Sequence, residues 1–261
     1  MSIKILIAAH KPYRMPEDPL YLPVQVGKEL ASQEIEGFTG DNTGEHISAK
    51  NPLYSELTAL YWGWKNLPES CTGLGLAHYR RHFSSGKRGA TVWDRVLTLS
   101  EAESLLEQAP VILPKKRRYY IETLASHYGH THDPEHLVKT RAVLSKLQPD
   151  YTEAFDRVLK RRSAHMFNMF LMRRPVADAY CEWLFPILFA LEDEIDVSKL
   201  SRFDARLFGR ISELLLDVWL EQTGYTYKEI PFLYMEPVNW PKKIGSFLGA
   251  KFGRKKYKQS F

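Results

Sequence analysis

The chain has 261 residues, of which 44% are apolar and 26% charged, enough for one large α/β domain or two small ones. No run of about 18 apolar residues occurs, which excludes a membrane-spanning helix. The net charge of +5 is unevenly placed: after the last acid, Glu236, seven Lys and Arg residues follow, and without them the rest of the chain carries −2, which argues against a nucleic-acid-binding body.

The first predicted element is "IKILIAA" (3–9), a continuous Ile-rich run suited to a buried parallel strand. Its apolar run is too short, and too soon interrupted by His10 and Lys11, for a secretory signal. Cys71 and Cys181 fit no metal or redox spacing and read as small buried residues in a reducing compartment, so a cytoplasmic location is expected. "GDNTGEHISAKNP" (40–52) has the composition of a loop, with Asp41 and Asn42 placed to meet a nucleotide or sugar hydroxyl. Asn51-Pro52 then predicts a helix start, with Asn51 as N-cap and Leu53, Leu57, Leu60, Tyr61 and Trp64 along one stripe. Glu56 lies in the first turns of that helix, where an acid is also favourable simply through the helix dipole.

"GLGLAHYRRHF" (73–83) reads as a second buried strand whose end opens into His78, Tyr79, Arg80 and Arg81. Gly73 and Gly75 leave room for close backbone approach. In an open α/β sheet such a strand end holds an anionic ligand, and the alternative is a strand that exits to a solvated basic turn. Further on, Ser100-Glu101-Ala102-Glu103 predicts a capped helix, and "VILP" (111–114) a third strand ending in the basic cluster Lys115–Arg118. Two or three helices are expected over 121–162 and a strand over 165–174. Helices follow over 175–194 and 205–222, and then a strand over 227–235. Alternating strands and helices predict an α/β sheet with an inserted helical layer.

No Walker loop and no Gly-x-Ser-x-Gly elbow is present, and "GLGLAH" breaks the dinucleotide fingerprint because His78 stands where its third Gly belongs. "SHYGHTHD" offers His127, His130, His132 and Asp133, but their spacing matches no zinc signature; a polar helix end facing a substrate is the preferred reading over a metal site. Arginine forks bind phosphate oxygens in bidentate fashion, so Arg80 and Arg81 can take the place of a metal held by an Asp-x-Asp. Glu213 sits in an otherwise apolar stretch, "FGRISELLLDVW", where a carboxyl of raised pKa suits a general base; a surface residue between apolar neighbours is the alternative.

These stretches, with "IKILIAAHKPY", "DNTGEHISAKNPLYSELTALYWGWKN", "VILPKKRRYYIETL", "SAHMFNMFLMRR" and "YCEWLFPILFALE", resemble a bacterial glycosyltransferase family long designated a domain of unknown function. Its members occur in capsular and exopolysaccharide gene clusters. The motifs run in order from residue 3 to about 220, which leaves only the basic tail outside. The resemblance implies a GT-A-like fold over 1–236, a UDP-sugar donor carrying galactose or galactofuranose, and a lipid-linked oligosaccharide acceptor. Carried over by position, it implies substrate contacts from His10, Lys11, Asp41, Asn42, Asn51, Glu56, His78, Tyr79, Arg80, Arg81 and Asn168, with no metal and no further cofactor. Glu213 is the expected catalytic base, with Asp204 and Glu56 behind it.

Two departures from the family pattern stand out. Arg210 replaces a Phe and Leu214 an Arg, which shifts a positive charge by one helical turn. Phe167 replaces a Gly and suggests a differently shaped sugar pocket.

The tail, 237–261, places Ile244, Phe247, Leu248 and Phe252 on one helical face and lysines on the other. It is expected to lie on an anionic bilayer at the inner face of the cell membrane, against the alternative of a disordered or body-docked terminus. Two further readings are a non-catalytic polysaccharide-assembly factor that retains the fold, and a tail that binds nucleic acid.

Overall fold

The computed structural model describes residues 2–236; the basic tail, and the amphipathic helix expected in it, lie outside the described residues. The strands are β1 (Ser2–Ala9), β2 (Tyr21–Gln25), β3 (Thr39–Gly40), β4 (Cys71–His78), β5 (Arg81–Phe83), β6 (Val111–Pro114), β7 (Arg117–Arg118), β8 (Ser163–Ala164), β9 (Phe170–Arg173), β10 (Tyr227–Ile230) and β11 (Phe232–Tyr234). The α-helices are α1 (Asn51–Tyr54), α2 (Leu57–Asn66), α3 (Leu99–Gln108), α4 (Leu124–Thr131), α5 (Glu135–Leu147), α6 (Thr152–Leu159), α7 (Arg174–Glu194) and α8 (Leu207–Thr223).

The central sheet runs β10-β6-β9-β4-β1-β2-β3. The β1–β2, β1–β4, β2–β3 and β6–β10 pairs are parallel, while β9 is inserted antiparallel between β4 and β6. Strand β1 is continuously apolar and buried from Ile5 to Ala9 because both its faces are covered there. Leu6 and Ala8 join the larger core with α2, α7 and α8, and Ile3, Ile5 and Ile7 join the smaller one with α3. Gly75 is needed where β4 meets β9: a Cβ there would stand 2.7 Å from the Phe170 carbonyl oxygen. Helices α4, α5 and α6 form the inserted layer, in which α5 and α6 pack on α7 and α8 and α4 packs on α6. Both cysteines are buried and unpaired.

Several local expectations are corrected. The helix read from Asn51 is two helices, because Ser55 breaks it with φ 54°. Asn51 is not its N-cap; it has helical backbone angles and its amide donates to Ser55 O at 2.8 Å and to Thr58 Oγ1 at 3.3 Å. The capping box of α3 is Thr98 with Glu101, two residues earlier than read, because Leu99 already has helical geometry. The strand expected over 165–174 is strand only from Phe170, since Phe167 and Asn168 are left-handed, with φ 79° and 52°. Pro231, with no N–H to give a ladder, separates β10 from β11 in the strand expected over 227–235. Parallel β4 ends at His78, and the chain reverses at once into β5, which pairs with β11. That reversal delivers the His-Tyr-Arg-Arg sequence to the carboxyl edge of the sheet.

Candidate active site

One cavity opens at that edge. Its walls come from the α1–α2 break (Ser55, Glu56), the β4–β5 turn (His78, Arg80, Arg81), β7 (Arg117), the end of α4 (His132), the loop before β9 (Met166, Phe167), and the start of α8 with the turn before it (Arg206, Gly209, Arg210, Glu213). Five arginines and two glutamates thus face one space.

The arginines are held by their stems and planes. Arg81 is 8% exposed, and its guanidinium lies 4.2 Å from the Phe167 ring centre and 5.6 Å from that of Tyr234. Arg80 stacks near Tyr79 at 5.3 Å, and its Nε is buried with no hydrogen-bond partner among the described residues. Arg206 Nε donates to Ser55 Oγ at 3.0 Å, while Arg210 Nη2 donates to Phe203 O at 2.6 Å and its plane covers the Phe203 ring at 4.2 Å. The field they create registers on their neighbours. Burial first, and then the charges of Arg81, Arg80 and Arg206, hold His78 well below the ordinary histidine pKa. Burial, Lys11, Arg206 and Arg80 lower that of His10. Burial penalises charge of either sign, whereas the guanidinium charges act in the sense that favours an anion.

Glu213 has the opposite perturbation. Burial and the Glu56 charge push its carboxyl up to about 7, against the backbone N–H of Phe167 and the charges of Arg81 and Arg117. The left-handed pair Phe167–Asn168 gives the loop the shape that aims this N–H. Asn168 is 3% exposed and fully committed: Nδ2 donates to Glu56 Oε1 at 2.8 Å and to Gly209 O at 2.9 Å, and Oδ1 accepts from Ser212 Oγ at 2.9 Å. The same loop is pinned at its start by buried His165, whose ring nitrogens meet Asp217 Oδ1 at 2.6 Å and Glu229 Oε1 at 3.0 Å.

Of the residues named from sequence, Glu56, His78, Arg80, Arg81 and Glu213 line the cavity together. Tyr79 does not; it is 3% exposed and serves as a platform, with the His10 ring edge-on at 5.4 Å and Lys11 Nζ 5.7 Å from its centre. Asn168, expected to read a sugar hydroxyl, is not among the lining residues, and its amide is hydrogen-bonded to Glu56, Gly209 and Ser212. Asp41 does not line the cavity; it is 0% exposed, and its carboxylate accepts from the Gly27 N–H at 2.9 Å, from the Lys28 N–H at 3.0 Å and from the Ser48 hydroxyl. Exposed Asn42 and the inward-turned Asn51 belong to that same region and do not line the cavity. Asp204 accepts from Ser201 Oγ at 2.6 Å in the turn before α8 and is outside the lining too.

Sequence reasoning missed Arg117, Arg206 and His132 as cavity residues and met Arg210 only as a departure from pattern. A signal existed: Arg206, Arg210 and Glu213 are spaced by four and three residues, which puts them on one side of a helix. The "SHYGHTHD" stretch does not gather a metal site. Glu122 takes His127 Nδ1 at 2.9 Å and His130 Nδ1 at 2.5 Å, His132 turns into the cavity, and among the described residues no group of three potential ligands assembles.

A mixed, mainly parallel sheet flanked by helices is the α/β architecture of a known glycosyltransferase structure. The chain superposes on WbbM, a bifunctional glycosyltransferase in its apo form, with a TM-score of 0.83 and 29% identity over 91% of this chain and 46% of that one. It therefore spans about half the length of WbbM. Residues 4–224 match the family described as a domain of unknown function, DUF4422, and the chain belongs to that family. No curated protein matches it significantly.

Proposed function

We propose that the chain is a glycosyltransferase that moves a hexose, galactose or galactofuranose, from a UDP-sugar to a lipid-linked oligosaccharide in capsule or exopolysaccharide synthesis. The observation that carries the reading is the meeting of five arginines with a carboxyl titrating near neutrality in one cavity. The donor diphosphate lies against Arg80, Arg81 and the arginines facing them. Guanidinium forks neutralise the charge that grows on the leaving UDP, and a wall of this sign repels a divalent cation, so no metal is needed.

In an inverting transfer, Glu213 takes the proton of the acceptor hydroxyl as that oxygen bonds to the anomeric carbon. The electron pair of the breaking bond departs on the β-phosphate oxygen of UDP. A pKa of about 7 suits this role, because the group is partly ionised at neutral pH and still basic enough to take the proton. The similarity to WbbM supports the reaction class, and the fold places the arginines on the carboxyl edge where open α/β sheets bind ligands. The lipid-linked acceptor calls for work at the inner membrane face, a role in which the tail at 237–261 takes part.

The test is release of UDP from UDP-galactose and UDP-galactofuranose by the purified chain. Release that is lost in Glu213→Gln with UDP binding retained supports the reading. UDP binding with no turnover of either donor, in the presence of membrane lipid extract, favours an assembly factor that only retains the fold.

A further inference from the structure

The segment that carries Arg117 into the cavity continues outward as Arg118-Tyr119-Tyr120-Ile121-Glu122. Tyr119 and Glu122 are 2% and 3% exposed, whereas Tyr120 and Ile121 between them are 75% and 49% exposed. Tyr120 has φ 54°, a turn that throws two consecutive apolar side chains into solvent while both neighbours stay anchored. The tip is tied down by the Tyr119 N–H donating to Arg162 O at 2.8 Å and by Arg162 Nη1 donating to Tyr120 O at 3.2 Å. Tyr120 and Ile121 are two of the six large apolar side chains exposed among the described residues, and they stand next to one another.

Exposed basic residues flank the tip. Lys115, Arg118, Lys160 and Arg162 are all exposed, and among the described residues none of them forms an ion pair with a carboxylate. Glu122, the acid closest in sequence, is buried and taken by His127 and His130. An apolar pair of which one member is a tyrosine, ringed by unpaired Lys and Arg, matches the boundary of an anionic bilayer. There apolar tips enter the acyl region, a phenol rests at the headgroup level and cations meet lipid phosphate.

We infer that the Tyr120–Ile121 tip with its basic ring is a docking face for an anionic lipid surface. It lies in the folded domain. Because Arg117 belongs to the same short segment, docking brings the cavity mouth to the lipid surface, where a substrate confined to the bilayer is within reach. The inference does not depend on the transfer reaction, and a chain without turnover would still show it.

The full chain with Tyr120→Cys, labelled with an environment-sensitive fluorophore, reports the contact at the tip itself. Labelling is selective because Cys71 and Cys181 are buried. Mixed with vesicles of equal phosphatidylglycerol and phosphatidylcholine, the label at 120 is expected to shift to the blue and gain protection from an aqueous quencher. Pure phosphatidylcholine and duplex DNA are expected to leave it unchanged, and a label at Leu147→Cys, exposed on α5, is expected to stay unchanged throughout. In the unlabelled chain, Arg118→Glu with Arg162→Glu lowers vesicle co-sedimentation at least about tenfold while UDP binding is kept, since each basic residue near the surface contributes a comparable factor. A label at 120 that is silent when the protein is mixed with anionic vesicles, an equal response to DNA, or unchanged co-sedimentation of the charge-reversed chain overturns the inference.

Discussion

The Asp41 loop and the Glu213 cavity each hold a carboxylate drawn away from water near the active edge of the sheet, and they do opposite things with it. Asp41 is surrounded by donors: two backbone N–H groups and the Ser48 hydroxyl close the loop between β2 and α1 around it. Glu213 receives one backbone N–H, faces a second carboxylate in Glu56, and looks into a space lined by cations. A saturated carboxylate is a structural tie. One left short of donors beside another acid holds its proton more tightly and is available for chemistry.

Exchanging each acid for its amide sharpens that contrast. Glu213→Gln is expected to lower turnover a hundredfold or more with UDP affinity nearly unchanged, because a base acts in the transition state; steady-state rates together with calorimetric UDP titration check this. Next in size, Arg80→Ala is expected to weaken UDP binding by about 1–3 kcal/mol, the range for losing a charge-assisted hydrogen bond from a partly buried donor. Asp41→Asn leaves the chemistry in place but puts an amide N–H among donors; a loss of about 1–3 kcal/mol in denaturant unfolding is expected, with the catalytic rate of the folded fraction preserved.

The remaining effects are those of pH. Since Glu213 must be ionised to act, the rate is expected to fall as pH drops through about 7, and Glu56→Gln, which removes the neighbouring charge, moves that limb to lower pH. The stability effect has the opposite sense. A carboxyl raised from 4.5 to about 7 in the folded state binds protons more tightly there than in the unfolded chain. Stability therefore declines as pH rises across that window, and the decline disappears in Glu213→Gln.

The sheet was legible because its signals are local. The Ile-rich β1, the glycines of β4, the Pro-opened α7 and the amphipathic α8 each follow from composition and period. The cavity was legible in part. His78, Arg80, Arg81 and Glu213 sit at a strand end and on a helix face, whereas Arg117 and His132 arrive from elements whose meeting is tertiary. Ser55 carries no local mark of its left-handed backbone, and the marks at Phe167, where the family pattern has Gly, and at Asn168, a residue type that tolerates positive φ, are weak; yet the three break the predicted helix and strand at the cavity wall. The burial of Asp41 was illegible for a related reason: a loop aspartate looks the same in sequence whether its partners are a ligand or two N–H groups from the preceding turn.

The central claim is that arginines, and not a metal, hold the leaving diphosphate beside Glu213. Calorimetric titration of UDP into the chain in excess EDTA tests it directly. The affinity is predicted to equal that measured with magnesium or manganese and to fall in Arg80→Ala. Binding that appears only when a divalent cation is restored, and that is indifferent to Arg80, would contradict the account.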